Sequence, residues 1–287
     1  MDDLTYELRQ LCRRNRDGSH ARQADRLGVL TLISRQLREM GFRQMHASSL
    51  KRKHVEALIA RWQAEGLSAG TQKNRMTDIR WWAEKVGKAG IIPAENAELA
   101  IPNRVFVTNE NKARALDDRL SRITDIFVRM SLLLQALFGF RREESIKFRP
   151  SYADRGDHLA LKGSWCKGSR PRTVPISTPE QRALLDQVHR LAGTGSLIPA
   201  HKSYIEQRNV YDGQCKAAGL SRMHGLRHQY AQARYEEITG WKAPAAGGPS
   251  TKMLTPEQRL QDAHARQTIS YELGHERLQV LAVYLGR

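Results

Sequence analysis

Four short fragments in the second half of this chain place the tightest demand on its fold. They are Gly139-Phe140-Arg141-Arg142-Glu143-Glu144, Lys167-Gly168-Ser169-Arg170-Pro171-Arg172-Thr173-Val174-Pro175, His224-Gly225-Leu226-Arg227-His228 and Leu273-Gly274-His275, with Tyr284 nine residues beyond His275. They carry joint meaning only if the fold makes arginines, a lysine and histidines converge on one tyrosine. Singly, each also fits a plain structural role: a surface ion pair, a basic turn on a solvated edge, a capping histidine, a tyrosine in an apolar segment.

The residues around these fragments predict a mainly α chain with a small β-hairpin, an α+β class. Ser19 caps a helix running to about Met40, with Leu27, Leu30, Ile33, Leu37 and Met40 at helical spacing and Gly41 ending it. A second helix spans Lys53 to Glu65, with Val55, Leu58, Ile59 and Trp62 on one face. A third opens at Gly70-Thr71 and runs to Lys85 on a stripe of Met76, Ile79 and Trp82, leaving Lys73, Arg75 and Arg80 on other faces. Pro102 to about Asn111 lacks periodicity and reads as a linker. Ile123 to Phe138 is apolar enough for a buried helix; His158–Leu161 and Arg172–Ile176 form a hairpin; helices resume near Pro179, with Thr178 as N-cap. A Pro/Gly-rich loop occupies residues 240–256.

Charge narrows the partners. The 287 residues carry 47 Lys+Arg against 30 Asp+Glu, a formal net charge of +17. The excess is not a tail: residues 1–107 hold 19 basic and 12 acidic residues, a net of +7, leaving +10 for residues 108–287. Basic surface on both parts suits a polyanion, whose phosphates Lys and Arg would neutralise with release of counterions. Cys12, Cys166 and Cys215 form no C-x-x-C pair, so neither a disulfide framework nor a cysteine zinc site is expected. The acidic start lacks a signal-peptide pattern, and the apolar run Met130–Phe140 is too short for a bilayer. A cytoplasmic, nucleoid-associated protein is the expectation.

Cleaving a phosphodiester without a metal needs a nucleophile, cations around the non-bridging oxygens and an acid for the leaving oxygen. Arg141 stands at the end of the buried helix with Glu144 one turn on, able to orient a guanidinium whose fork matches a phosphate. Arg142 competes for that role. Lys167 starts the basic turn, where a flexible ammonium can reach a leaving oxygen; Arg170 and Arg172 share the turn and could contact backbone phosphate. His224 and Arg227, three apart, can meet one phosphate together. His224 and His228 also have the spacing of a metal pair, but the fixed charge of Arg227 opposes a cation and no H-E-x-x-H glutamate is present. His228 reads better as a packed, hydrogen-bonded support. A phenol, with a pKa of about 10, needs a cationic cluster or a base to become a nucleophile.

In this order and spacing, Arg141, Lys-Gly-x-x-x-Arg-x-Val-Pro, His-x-x-Arg, Leu-Gly-His and Tyr284 resemble the tyrosine recombinases, the lambda-integrase and Xer-like family. The resemblance reaches the N-terminal part through Gly66-Leu67-Ser68, Thr71 and the basic helix after it. It implies a two-domain C-shaped DNA clamp: a helical, SAM-like core-binding domain at 1–103, a linker at 104–112, and a catalytic domain at 113–287 with an insertion at about 240–256. It further implies that Tyr284 attacks a scissile phosphate to give a 3′-phosphotyrosyl link and a free 5′-hydroxyl. Arg141, Arg227, His224 and His275 would stabilise the phosphorane, Lys167 would be the general acid, and Glu144 and His228 would support them. Lys73, Arg75, Arg80, Arg170 and Arg172 would bind DNA. No cofactor, ATP or metal is implied. The expected partner is double-stranded DNA, bound by a tetramer on synapsed duplexes and by a monomer or weak oligomer when free, in the service of a mobile element.

Two departures accompany the resemblance. About fifty residues separate Arg227 from Leu273-Gly274-His275, with the Pro/Gly-rich loop as the excess, and the sequence stops three residues after Tyr284, where many relatives carry a docking helix. The competing readings are a catalytically silent DNA-binding protein on the same fold, a type IB topoisomerase-like enzyme, and a metal-dependent nuclease, the last disfavoured by the lack of an acidic cluster.

Overall fold

A computed structural model describes residues 2–287, and the chain divides into two compact units, Met1–Val105 and Phe106–Arg287. Four helices build the first: α1 (Asp3–Arg14), α2 (His20–Glu39), α3 (Arg52–Ala64) and α4 (Ala69–Lys85). Side-chain oxygens satisfy the orphan N–H groups at three of the four starts. Asp2 accepts from the Thr5 N–H at 2.7 Å, Ser19 from Arg22 at 3.3 Å and Ser68 from Thr71 at 3.2 Å. The first helix is the one the sequence reading does not resolve, although Leu4, Leu8, Leu11 and Cys12 form its core-facing stripe. Trp62 and Trp82 fill the centre of this unit, their indole N–H groups donating to Gln36 Oε1 at 3.0 Å and the Ala47 carbonyl at 2.9 Å. Each ring thus buries its bulk without stranding its polar edge.

The second unit is arranged around α5 (Ile126–Phe138), with Val128, Leu132, Leu134 and Phe138 fully buried. Its end is forced by Gly139 at φ +61°, where a Cβ would stand 2.5 Å from Cδ1 of Tyr230. Only glycine accepts both the left-handed backbone and that approach. Then come α6 (Arg142–Ile146), α7 (Pro150–Ala153) and the two-stranded antiparallel sheet of β1 (His158–Leu161) and β2 (Arg172–Pro175), in register Leu159↔Val174 and Leu161↔Arg172. Alternate residues face inward: Leu159 and Leu161 on one strand, Arg172 and Val174 on the other. The connection between the strands is longer than a tight turn; it spans residues 162–171 and winds through two short 3₁₀ turns, Gly163–Trp165 and Lys167–Ser169.

Helices α8 (Pro179–Ala192), α9 (Tyr204–Ala217), α10 (Gly225–Thr239), α11 (Pro256–Glu272) and α12 (Ala282–Leu285) complete the unit. Thr178 caps α8 as its sequence predicts, accepting from the Gln181 N–H at 3.2 Å. Helix α10 packs against α5, α11 and α12 together. The Pro/Gly-rich segment between α10 and α11 is packed rather than detached, with Ala243, Ala245 and Leu254 buried. Among the described residues no helix is long and apolar enough to cross a membrane.

The Gly139 turn yields a test of this packing. Gly139→Ala should destabilise the second unit by about 2 kcal/mol, lowering its melting transition by roughly 4–8 °C, as read by calorimetry on the full chain. An unchanged transition would mean that Tyr230 can move aside freely.

Candidate active site

Arg141 is the first residue after the Gly139–Phe140 turn, and it N-caps α6. Glu144 closes a capping box on it: one carboxylate oxygen accepts the Arg141 backbone N–H at 2.6 Å and the other accepts the Arg141 guanidinium at 2.8 Å. Glu144 is fully buried and takes two more bonds, both at 2.7 Å, from the guanidinium of Arg172. Burial alone would raise its pKa. The hydrogen bonds and charge of Arg172, with the charges of Arg227 and Arg141, outweigh that and hold it at about 2.

Arg227 enters from the first turn of α10, with 1% of its side chain exposed. Its guanidinium donates to the Gly139 carbonyl at 2.5 Å and to the Leu273 carbonyl, and lies 3.9 Å from Glu144 and 3.5 Å from Nε2 of His275. Burial and then the neighbouring charge of Arg141 push its pKa down to about 10, which leaves it charged at neutral pH. One residue therefore ties the end of α5 to the end of α11 and aligns Arg141 with His275.

Tyr284 lies under this cluster on α12, 6% exposed. Its hydroxyl is 3.2 Å from Nε2 of His224, the residue preceding α10. The His228 and His275 rings flank it at 4.4 and 5.1 Å between centroids, and the Arg227 guanidinium stands 6.0 Å from its ring centre. All three imidazoles have lowered pKa values, first through burial. The charges of Arg227, Arg141 and Arg172 help bring His275 to about 3, and His224, Lys112 and Arg227 help bring His228 to about 4. Arg227 and Arg141 add to the lowering at His224. A neutral imidazole beside a phenol can take its proton, and the guanidinium groups can receive an anion.

The structure brings Arg141, Glu144, His224, Arg227, His228, His275 and Tyr284 into one cluster. Lys167 is outside it: the residue is exposed on the connection between β1 and β2. That connection is tied beside His275 all the same, because Arg170 pairs with Glu276 at 2.8 Å. The assignment of Arg172 to DNA needs correction. Its side chain is 4% exposed, and the guanidinium is occupied by Glu144 and by the Glu272 carbonyl at 2.8 Å. It positions Glu144 and the end of α11 and has no face left for a phosphate. The sequence held the signal, since Arg172 alternates with the apolar Val174 on the inward side of a strand.

His228 is packed as expected, but its Nδ1 has no hydrogen-bond partner among the described residues. In the first unit, Arg80 donates to Asn96 and to the Pro93 carbonyl, both at 3.0 Å, and so holds the 93–96 turn. Arg75 lies over Trp62 at 5.3 Å, and Lys73 donates to Asn103 at 3.1 Å. Arg80 and Arg75 both direct their guanidinium groups into the fold of this unit, and Lys73 is held only by Asn103.

The buried charges predict an acid-sensitive unit. His275 and Glu144 both have folded pKa values below their ordinary ones, at about 3 and about 2. The unfolded chain therefore binds more protons than the native one below about pH 6.5, and the stability present at neutral pH is lost as the pH falls through that window. Urea midpoints should drop between pH 7 and pH 4, and less steeply for His275→Gln. Equal slopes would remove His275 from the account.

Comparison with known proteins follows the same lines. A family model described as phage integrase, N-terminal, matches residues 1–92, and one described as integrase matches residues 103–233. No curated protein sequence matches the chain. Among solved structures, a lambda integrase tetramer bound to a Holliday junction is 15% identical, covering 96% of this chain and 77% of that one, with a TM-score of 0.60. The Tn1549 transposon integrase in complex with circular intermediate DNA is 12% identical over 100% of this chain and 96% of its own, at 0.58. XerH site-specific recombinase in a post-cleavage complex on palindromic difH is 16% identical over 98% and 80%, also at 0.58. At such identities the likeness concerns the fold; the two family matches cover most of the sequence, and this chain belongs to the phage-type integrases, the tyrosine recombinase family.

Proposed function

We propose that this chain is a site-specific DNA recombinase that cuts and rejoins duplex DNA through a 3′-phosphotyrosyl intermediate on Tyr284, in the integration or excision of a mobile element. The observation that carries the reading is the Tyr284 hydroxyl, 3.2 Å from Nε2 of a neutral His224 and beneath Arg227 and His275.

A phosphodiester seated at the rim would meet Arg141, whose side chain is 22% exposed, with Arg227 behind it. The Tyr284 oxygen attacks phosphorus, its proton passes to His224, and the bond from phosphorus to the 5′ oxygen breaks. The leaving oxygen takes a proton from Lys167, carried on the connection anchored beside His275 by Arg170 and Glu276. Reversal with the 5′-hydroxyl of a second duplex rejoins the strands, and the energy of the broken bond is kept in the tyrosyl ester. The guanidinium groups meet the phosphate charge, so the chemistry calls for no metal ion or nucleotide cofactor.

The net charge of +17 supports a duplex as the partner. The DNA complexes of lambda integrase, the Tn1549 integrase and XerH support it further, and the lambda tetramer on a Holliday junction supports a tetrameric synapse. The Tn1549 enzyme, a transposon integrase by name, favours a mobile-element role.

Incubation with nicked half-site DNA in EDTA should trap a covalent adduct on the C-terminal peptide. Tyr284→Phe should abolish it with DNA affinity unchanged; an adduct on another tyrosine would overturn the assignment. A second expectation concerns the acid. A 5′-bridging phosphorothioate, whose sulfur leaves without a proton, should restore cleavage to Lys167→Ala but not to Arg141→Ala, which should lose roughly a hundred- to a thousand-fold in rate. Equal rescue of both variants would reduce Lys167 to a phosphate contact.

A further inference from the structure

The Tyr284 carbonyl and the two residues that follow α12, Gly286 and Arg287, lie in a seat built from four separate parts of the second unit. Gln232 on α10, itself buried, donates one Nε2 to the Tyr284 carbonyl at 3.1 Å and to Oδ1 of Asn111 at 3.1 Å. Asn109, at φ +55°, accepts the Arg287 N–H at 3.0 Å. Arg266 on α11 donates to the Gly286 carbonyl at 3.0 Å. The fourth part is the Pro/Gly-rich segment: its Pro244–Ala246 turn lies so close to Gly286 that a Cβ there would stand 2.8 Å from the Ala245 nitrogen and 3.2 Å from Cβ of Pro244. Gly286 has φ +78°, so both its backbone and its surroundings require glycine.

The seat is itself braced. Arg266 also donates through Nε to Asp262 at 2.8 Å, and Asp262 accepts the buried Tyr235 hydroxyl at 2.6 Å. The Arg266 guanidinium faces the Tyr235 ring at 5.7 Å. Ala243, Ala245 and Leu254 bury their side chains, which fixes the 244–246 turn to the core rather than leaving it in solvent. Every one of these contacts is made within the unit that also holds Arg141, His224, Arg227 and His275.

We infer that Arg266, Asn109 and the Pro244–Ala246 turn are positioning elements for the nucleophile: they hold the residues after α12 so that Tyr284 rests in the cationic cluster of its own chain. The inference rests on the proposed role of Tyr284. It assigns the 240–256 segment a task, because its turn forms one wall of the seat. A tyrosine carried on a four-residue helix has little intrinsic order. The reaction nonetheless needs its oxygen placed to within a fraction of an ångström, since a displacement of about 1 Å can cost roughly a hundred-fold in rate. The seat supplies that order from outside the helix.

The test is single-turnover adduct formation on nicked half-site DNA, measured with DNA affinity and melting temperature for each variant of the full chain. Arg266→Ala should slow adduct formation by roughly ten- to a hundred-fold with affinity unchanged, and Arg266→Lys, which keeps a donor for the Gly286 carbonyl, should recover much of the rate. Asn109→Gly suits the left-handed backbone and removes only the side-chain acceptor. It should slow the step roughly five-fold at an unchanged melting temperature, and it keeps the inference testable should Arg266→Ala fold poorly. Wild-type cleavage rates in Asn109→Gly and in a folded Arg266 variant would overturn the seat while leaving the nucleophile in place. Loss of affinity in step with rate would overturn it too, by making the contacts merely structural. Absence of any adduct in the wild type would instead remove the functional reading on which the seat rests.

Discussion

One buried carboxylate organises the second unit. Glu144 has no solvent exposure and is surrounded by Arg141, Arg172 and Arg227, all within 3.9 Å. An unpaired carboxylate there would be driven to its neutral form; three guanidinium groups reverse that and keep it charged. The three arginines arrive on different elements: a turn after α5, the strand β2 and the first turn of α10. Holding all three on one anion thus joins regions that the chain separates by 86 residues, from Arg141 to Arg227. Arg172 and Arg227 extend the tie to the end of α11 through the Glu272 and Leu273 carbonyls. His275 is placed as a consequence.

The balance of charge has a second effect. Three guanidinium groups face one carboxylate, so the cluster keeps a positive excess in a partly desolvated place. That excess helps hold His224 and His275 neutral, each also penalised by burial. The field that would receive a phosphate is therefore also the field that leaves an imidazole free to accept a proton from Tyr284. The two requirements of the proposed reaction, an anion site and a base, come from one arrangement of charges. Only the depth of each arginine differs: Arg227 is sealed inside and Arg141 sits at the rim.

Much of this was legible from local chemistry. The caps at Ser19 and Thr178, the glycine that ends α5 and the paired strands at 158–161 and 172–175 follow from side-chain type and spacing over a few residues. So does the pairing of the Arg141 guanidinium with Glu144, three residues on, whereas the bond from the Arg141 backbone N–H to the same carboxylate is seen only in the structure. What sequence spacing left open was direction. Arg170 and Arg172 belong to one basic stretch, yet Arg170 is exposed against Glu276 and Arg172 is buried against Glu144. Alternation inside β2 puts Arg172 on the inward side with Val174, but Arg170 lies before the strand, where no periodicity fixes its direction.

The amino-acid sequence by itself determined which groups were available: arginines that cannot lose their charge near neutral pH, imidazoles that can, a phenol near the end, and helices whose caps and stripes are encoded within a turn or two. Tertiary structure alone decided which of those groups share a field. Whether an arginine meets solvent or a buried carboxylate, whether a histidine is neutral, and whether the 240–256 segment hangs free or walls the residues after Tyr284 all depend on contacts between distant elements. Periodicity reports the partners of a residue along its own helix or strand. Electrostatic surroundings are set by groups far away in the chain, and these acquire a distance only once the chain has folded.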